Sequence, residues 1–161
     1  MTQPSAALAT AMFLCIAPGT IAGIIPWWIS GWIVQPPFFG FGPIRWLGAL
    51  LIAAGIPVLL DSFGRFALEG LGTPAPVLPT QHLVIKGFYR YVRNPMYLAV
   101  ASVVIGQGLW FGSASLLAYG ALLWLGFYVF VIAYEEPTLR KTYGAEYEAF
   151  CSRVHRWMPR V

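Results

Sequence analysis

Four runs of apolar residues, each close to the length that crosses a lipid bilayer, dominate this sequence. They cover roughly residues 6–34, 44–63, 95–111 and 114–134. A membrane-spanning helix needs about 20 mostly apolar residues, and soluble domains carry about 25% charged residues, whereas only 10% of these 161 residues are charged. The sequence therefore predicts an all-α, polytopic membrane helical bundle, with about four transmembrane helices and an interfacial C-terminal helix.

The chain is expected to form a single domain, residues 1–161, because its length leaves no room for a second domain of ordinary size. Glu135-Glu136-Pro137 is expected to end the fourth span, and Leu139, Tyr143, Tyr147 and Phe150 to share one face of a helix in the tail. Four glycines of the third and fourth spans are available for close contact between those helices, namely Gly106, Gly108, Gly120 and Gly126. The predicted parts are two N-terminal spans (6–66), a loop (67–94), a helical hairpin (95–134) and a tail (135–161).

The positive charges predict the orientation of this bundle. With four spans, all Lys and Arg residues except Arg45 fall on one side, which the positive-inside rule makes cytoplasmic, together with both termini. The cations adjoin the spans, so the expected partners of the net charge of +4 are membrane lipid headgroups and not nucleic acid. Cys15 and Cys151 have no partner spacing, and neither a disulfide framework nor a metal site is predicted.

A basic and aromatic stretch, residues 87–97, leads into the third span. Asn94-Pro95 predicts a helix start, with the Asn side chain capping free backbone N–H groups and Pro at the first helical position. A helix N-terminus beside Arg93 suits an anionic group. The alternative is that the tyrosines and arginines only anchor the chain at lipid headgroups.

Two adjacent acids, Glu135 and Glu136, follow the fourth span. Acids at a helix C-terminus oppose the helix dipole, so their presence indicates a cationic partner. Adjacent helical residues diverge by about 100°, so one pocket can receive only one of them easily. Simple pairing with Arg90, Arg93, Arg140 or Lys141 is the alternative. The hairpin is expected to bring these acids to the same face as residues 81–97.

The ordered set of motifs between residues 81 and 159 resembles the isoprenylcysteine carboxyl methyltransferase and phospholipid methyltransferase superfamily, small membrane enzymes that use S-adenosylmethionine. The resemblance covers about half of the chain, and the first two spans share only their apolar character. The matching pieces are Leu83-Val84, Gly87-Phe88-Tyr89, Arg93-Asn94-Pro95-Met96-Tyr97, Ile105-Gly106, Glu135-Glu136-Pro137-Thr138-Leu139, Tyr143-Gly144-Ala145-Glu146-Tyr147 and Trp157-Met158-Pro159.

This resemblance implies an S-adenosyl-L-methionine-dependent methyltransferase without a metal, acting on a lipophilic small-molecule or lipid acceptor. Arg93 and Glu136 are its implied catalytic residues. Arg93 and the helix start would take the cofactor carboxylate, aromatic rings would pack on adenine or the sulfonium, and Glu135 would accept hydrogen bonds from amino groups. The implied cofactor-binding residues are Gln81, His82, Leu83, Val84, Tyr89, Asn94, Pro95, Met96, Tyr97 and Glu135.

Two positions depart from the family pattern. Asn94 stands where relatives often have histidine, and an amide orients groups but does not shuttle protons. Val131 stands where carboxyl-methylating relatives have an arginine thought to hold the substrate carboxylate. The expected activity is isoprenylcysteine carboxyl methyltransferase-like, and the alternatives are a phospholipid N-methyltransferase, a sterol-reductase-like enzyme that uses NADPH, and a non-catalytic membrane scaffold.

Overall fold

The protein is described from a computed structural model, which covers residues 3–70 and 82–159. The predicted cofactor-binding Gln81 and most of the preceding loop lie outside the described residues. The helices are α1 (Gln3–Gly19), α2 (Ile25–Ser30), α3 (Ile44–Arg65), α4 (Pro95–Phe111), α5 (Ala114–Phe130), α6 (Glu136–Tyr143) and α7 (Ala145–Arg153). In the covered ranges the extended pairing is limited to an isolated bridge between Val92 and His155.

The structure confirms an all-α membrane bundle. Three helical stretches, Leu8–Ser30, Ile44–Glu69 and Ala114–Tyr143, are long and apolar enough to cross a bilayer, and α4 is a shorter apolar helix. Large apolar side chains face outward along these stretches: Trp28 is 82% exposed and Leu122 69% exposed. Such surfaces suit a hydrocarbon solvent, where helices satisfy their backbone groups internally.

α4 is the central helix of the bundle, and its contact with α3 is the closest. A Cβ atom on Gly48 of α3 would lie 2.6 Å from the Gly106 carbonyl oxygen of α4, and one on Gly55 would lie 2.9 Å from the Ala99 carbonyl oxygen. Small residues thus let the two backbones approach, as is typical of helix pairs in membranes. The close approach fixes where the N-terminal end of α4 lies relative to α3.

The glycine prediction for the hairpin is correct in part. Gly108 packs against Leu117 and Gly120 against Ile105, as expected between α4 and α5. Gly106 faces α3 instead, and a Cβ on Gly126 would meet nothing within 4 Å. The sequence showed that small residues were present but not which side of each helix they occupied.

A polar contact ties the first span to α4. Gln107 donates from Nε2 to the Ala22 carbonyl oxygen at 2.7 Å and accepts from the Trp32 indole nitrogen at 3.0 Å. A buried amide in an apolar bundle needs such partners, because an unmade hydrogen bond costs far more there than in water.

The helix of the fourth span does not stop at Glu135-Glu136-Pro137, the residues that were predicted to end the span. A π-helical segment, Val131–Glu135, joins α5 directly to α6, which runs on to Tyr143. Pro137 lies in the first turn of α6, where a missing backbone N–H and a fixed φ are tolerated. The helical hairpin therefore extends past residue 134 into the region predicted as tail.

The tail folds back on the bundle through the predicted apolar face. Tyr147, Phe150 and Val154 form a buried cluster, against which Leu139 and Tyr143 pack, so the four predicted residues do meet. They lie on two helices and not on one, because the chain breaks between α6 and α7 at Gly144, which has φ +50°. After α7, residues 154–157 (the C-terminal strap) run alongside residues 92–94. The backbone N–H of Arg93 donates to the His155 carbonyl oxygen at 2.9 Å, so the strap lies beside the start of α4.

Candidate active site

The described ends of the hairpin meet through a direct hydrogen bond. Tyr97, in the first turn of α4, donates from its hydroxyl to Oε2 of Glu135 at 2.6 Å. The bond is short, as expected when a hydroxyl donates to a carboxylate. Two residues 38 positions apart in sequence are thus joined at one end of the bundle.

The Tyr97 ring is held by the helix that carries Glu135. Its centroid lies 4.8 Å from that of Phe127 and 6.5 Å from that of Phe130. Both phenylalanines belong to the last turns of α5. Aromatic pairs at these separations are stabilising beyond the area they bury, so the ring and its hydroxyl have little freedom to turn away.

Tyr89 is brought to the same region by a short 3₁₀ turn, Gly87–Arg90. Gly87 has φ +60°, and a Cβ there would collide with Asp61. The backbone N–H of Phe88 donates to Asp61 Oδ2 at 3.3 Å, which anchors the turn to α3. Asp61 also pairs with Arg65 at 3.3 Å.

The Tyr89 side chain is buried beneath this turn. Its ring meets Phe66 edge-on with centroids 5.8 Å apart. Burial, with a smaller contribution from the negative charge of Glu135, raises the pKa of Tyr89 well above its usual range. The phenol therefore stays protonated and available as a donor near Glu135.

Glu136 sits at the centre of three arginines. Its side chain is 4% exposed and its carboxylate lies 3.2 Å from Arg93 Nη1 and 3.5 Å from Arg140 Nη2. Arg156 of the strap makes two bonds, from Nε at 2.6 Å and from Nη2 at 2.9 Å. The hydrogen bond to Glu136 raises the pKa of Arg156.

The two adjacent acids thus take different partners, as the helical geometry predicted. Glu135 faces Tyr97, and Glu136 faces the arginines. The simple ion-pairing alternative describes Glu136, which binds Arg93 and Arg140, but it does not describe the Tyr97 contact of Glu135. Arg90, also considered as a partner, lies over the Tyr91 ring instead.

The Asn94 side chain does not cap α4, so the prediction of a side-chain cap is wrong. Asn94 is the N-cap residue of α4, but its amide makes no capping bond. The amide donates to the Arg156 carbonyl oxygen at 3.1 Å. A cap would use the side-chain oxygen of Asn94, but the contact with the strap uses its Nδ2 donor and orients the amide toward Arg156. The first N–H groups of α4, at Met96 and Tyr97, receive no cap from it.

The remaining predicted residues lie around this core in different settings. His82 is exposed, and Leu83 packs against the apolar cluster of the tail. Val84 and Pro95 are buried. Met96 packs on a separate core cluster formed by α3 and α4, which includes Phe63.

Sequence reasoning missed Arg156 and Cys151. Arg156 directly precedes the Trp157-Met158-Pro159 motif, and that adjacency was the available signal. Cys151 places its sulfur 2.8 Å from Arg93 Nη1, and nothing in the local sequence indicates this contact. Both are brought in by the fold of the tail.

The arrangement offers several kinds of recognition at one end of the bundle. Arg93 has a 12% exposed side chain, and its Nε is buried without a hydrogen-bond partner. With the uncapped start of α4, it suits an anionic group. Glu135 suits a hydrogen-bond donor, and Tyr89 and Tyr97 suit a planar ring or a cation. Among the residues described, no group of His, Cys, Asp and Glu could hold a metal ion.

Comparison with known proteins places the chain in a family. A sequence model described as phospholipid methyltransferase matches residues 43–146. The chain belongs to the phospholipid methyltransferase family. The match contains α3, α4, α5 and both adjacent acids, and so includes the Tyr97–Glu135 contact.

Individual relatives agree with this family. A probable protein-S-isoprenylcysteine O-methyltransferase from Oryza sativa subsp. indica is 36% identical over 81 residues, which are 49% of this chain and 42% of the relative. A protein of the same description from Oryza sativa subsp. japonica matches equally. An uncharacterized protein from Haemophilus influenzae is 31% identical over 70 residues, 39% of this chain and 100% of the relative. The chain therefore matches less than half the length of the rice proteins.

Proposed function

We propose that this protein is an integral membrane methyltransferase that moves a methyl group from S-adenosyl-L-methionine to a lipophilic acceptor. The Tyr97–Glu135 hydrogen bond is the observation that carries the proposal. It joins the Glu135 carboxylate to the Tyr97 ring, next to the start of α4, at one end of the hairpin. Membership in the family supports the same chemistry.

Each chemical feature of the cofactor has a candidate partner in this chain. Arg93 and the start of α4 would bind the carboxylate, because the Arg93 Nε has no partner of its own. Glu135 would accept hydrogen bonds from an amino group. Tyr89 and Tyr97 would pack on the adenine or the sulfonium.

S-adenosylmethionine, when bound, supplies a methyl group already activated by a sulfonium. The chain's part is to align the acceptor with that methyl group and to exclude water. The Tyr97 ring, which packs on Phe127 and Phe130, would hold the cofactor in position for this alignment. Asn94 orients the strap and transfers no proton, because its side chain is an amide.

The acceptor is proposed to arrive sideways from the bilayer. The outer surface of α5 is apolar, with Leu122 69% exposed and Leu125 57% exposed. A lipophilic molecule dissolved in the membrane can follow such a surface toward the end of the hairpin without crossing water. The positive-inside rule puts that end, with residues 82–97 and 135–159, on the cytoplasmic side.

A phospholipid amine is the second candidate acceptor, beside the isoprenylcysteine carboxylate. Val131 favours it, since this side chain is fully buried in the π-helical segment at the position where carboxyl-methylating relatives carry arginine. A neutral amine needs no cation to hold it. A carboxylate acceptor would require a positive charge from elsewhere in the site.

Transfer of label tests the proposal. The purified protein is incubated with methyl-labelled S-adenosylmethionine and, in separate reactions, a farnesylcysteine derivative and phosphatidylethanolamine vesicles. Labelling of either acceptor supports the proposal and selects the acceptor class. The Glu135→Gln variant, which keeps the shape but loses the charge, is expected to label the accepted substrate about tenfold more slowly than wild type when S-adenosylmethionine is below saturation.

Absence of transfer with these acceptors and with a total membrane lipid extract would contradict the proposal. Binding of NADPH in place of S-adenosylmethionine would favour the reductase alternative. Binding of neither cofactor would favour the scaffold.

A further inference from the structure

We infer that Arg156 is a positioning residue: by satisfying Glu136 it leaves the guanidinium of Arg93 available to an anionic ligand. This inference rests on the proposed function, in which that ligand is the cofactor carboxylate. Arg156 lies in the strap, 20 residues after Glu136, and outside the residues matched by the family model.

The geometry makes Arg156 the principal partner of Glu136. Arg156 donates to both carboxylate oxygens, at 2.6 and 2.9 Å. Arg93 reaches one oxygen at 3.2 Å with a single Nη1. A bidentate pair of this kind is stronger and more directional than a single contact.

The charges around the cluster leave one cation in excess. Arg156 pairs with Glu136, and Arg140 has its closer partner in Glu148 at 2.8 Å, against 3.5 Å to Glu136. The Arg93 guanidinium shares Glu136 at longer range and otherwise meets the Cys151 sulfur. Its Nε is buried with no hydrogen bond. Arg93 is therefore a largely buried cation with unused donor capacity.

Hydrogen bonds from Arg93 and Asn94 set the position of the strap. The Asn94 amide donates to the Arg156 carbonyl oxygen at 3.1 Å, and the Arg93 backbone N–H donates to His155. These two bonds fix the register of the strap beside the start of α4. The Arg156 side chain is thereby directed at Glu136, next to the residue that it leaves available.

Loss of the Arg156 guanidinium would leave the Glu136 carboxylate buried and in need of a partner. Burying an uncompensated charge is strongly unfavourable, and Arg93 is the nearest remaining cation. Arg93 would then bind Glu136 through both of its terminal nitrogens and turn away from the ligand. Removing the charge of Glu136 as well would remove this competition.

A double-mutant cycle on the full-length protein in detergent, with S-adenosylmethionine binding measured by calorimetry, tests the inference. Arg156→Gln is expected to weaken binding by about tenfold or more, because Arg93 is recruited by the unpaired carboxylate. In a Glu136→Gln background the same change is expected to alter binding by less than about twofold. Arg156→Lys, which restores the charge without the fork, should fall between wild type and Arg156→Gln. Arg153→Gln, an exposed arginine at the end of α7, is the matched control and should bind as wild type does.

The outcomes separate the inference from the proposed function. Wild type that binds no S-adenosylmethionine overturns the proposed function. Wild type that binds, with Arg156→Gln binding equally well or losing affinity to the same extent in the Glu136→Gln background, overturns the inference alone. If Arg156→Gln does not fold, Glu136→Gln and the double variant decide, because the inference requires that these two bind alike.

Discussion

Replacing Tyr97 with phenylalanine removes a single hydroxyl from the candidate site and leaves the ring in place. The hydroxyl donates to Glu135 at 2.6 Å, while the ring packs on Phe127 and Phe130. Phenylalanine keeps both ring contacts. The variant therefore isolates the hydrogen bond from the packing.

The expected loss follows from the type of bond. A hydrogen bond to a charged group contributes about 1.5–3 kcal/mol net. The free energy of unfolding should therefore fall by about that amount, which corresponds to roughly 3–12 °C in Tm for a protein of this size. Since Glu135 also loses the group that orients it, S-adenosylmethionine binding should weaken by about tenfold, or 1.4 kcal/mol.

Thermal unfolding of the purified protein in detergent, with and without S-adenosylmethionine, measures both effects. Tyr134→Phe is the matched control, because Tyr134 lies in the same π-helical segment as Glu135 and is 47% exposed. Loss of the Tyr134 hydroxyl should change the free energy of unfolding by less than about 0.5 kcal/mol. If Tyr97→Phe behaves like Tyr134→Phe in both measurements, the hydroxyl does not hold Glu135 for a ligand and the reasoning fails.

Three further predictions concern helix packing, cofactor binding and membrane orientation. Gly48→Ala should lower the free energy of unfolding by about 1–3 kcal/mol through overpacking. Gly126→Ala, which has open space around it, should leave the free energy of unfolding unchanged or raise it by about 1 kcal/mol, and thermal unfolding of both variants checks this difference. Gly87→Ala should weaken cofactor binding, because φ +60° and the contact with Asp61 both oppose a Cβ, and equal affinity in calorimetry would contradict this. A cysteine at exposed His82, in a variant without native cysteines, should react with an impermeant maleimide from the cytoplasmic side only, and labelling from the opposite side would reverse the proposed orientation.

The bounds of α4 agree with the span that was predicted at roughly residues 95–111. Pro95 starts the helix and Gly112, with φ +70°, ends it, and both signals can be read within a few positions of the sequence. The return of Glu135 and Glu136 to the face of residues 81–97 also followed from the sequence, because two helices of similar length joined by a short turn return to the same side. The meeting of the segment before α4 with the segment after α5 was therefore predictable from the lengths and order of the two helices. The pairing of Tyr97 with Glu135 in particular was not predicted.

Features that depend on tertiary contacts were not predictable in this way. The Asn94 amide was expected to cap its own helix, but its Nδ2 donates to the strap 62 residues later, and that contact orients the side chain. Pro137 was expected to end a helix. The π-helical segment before it instead leads directly into α6, and Pro137 lies in the first turn of α6. The position of Arg156 next to the Trp157-Met158-Pro159 motif did not reveal its partner, since Glu136 meets it only after α7 has folded back.

Calorimetric titration of S-adenosylmethionine into the purified wild-type protein and Glu135→Gln measures whether Glu135 belongs to a cofactor site. We expect one binding site in the wild type and a loss of affinity of about tenfold or more in the variant, because the neutral amide is a weaker acceptor for the amino groups of the cofactor. Wild type that shows no binding, or a variant that binds as tightly as wild type, would contradict the assignment of Tyr97 and Glu135 to a cofactor site.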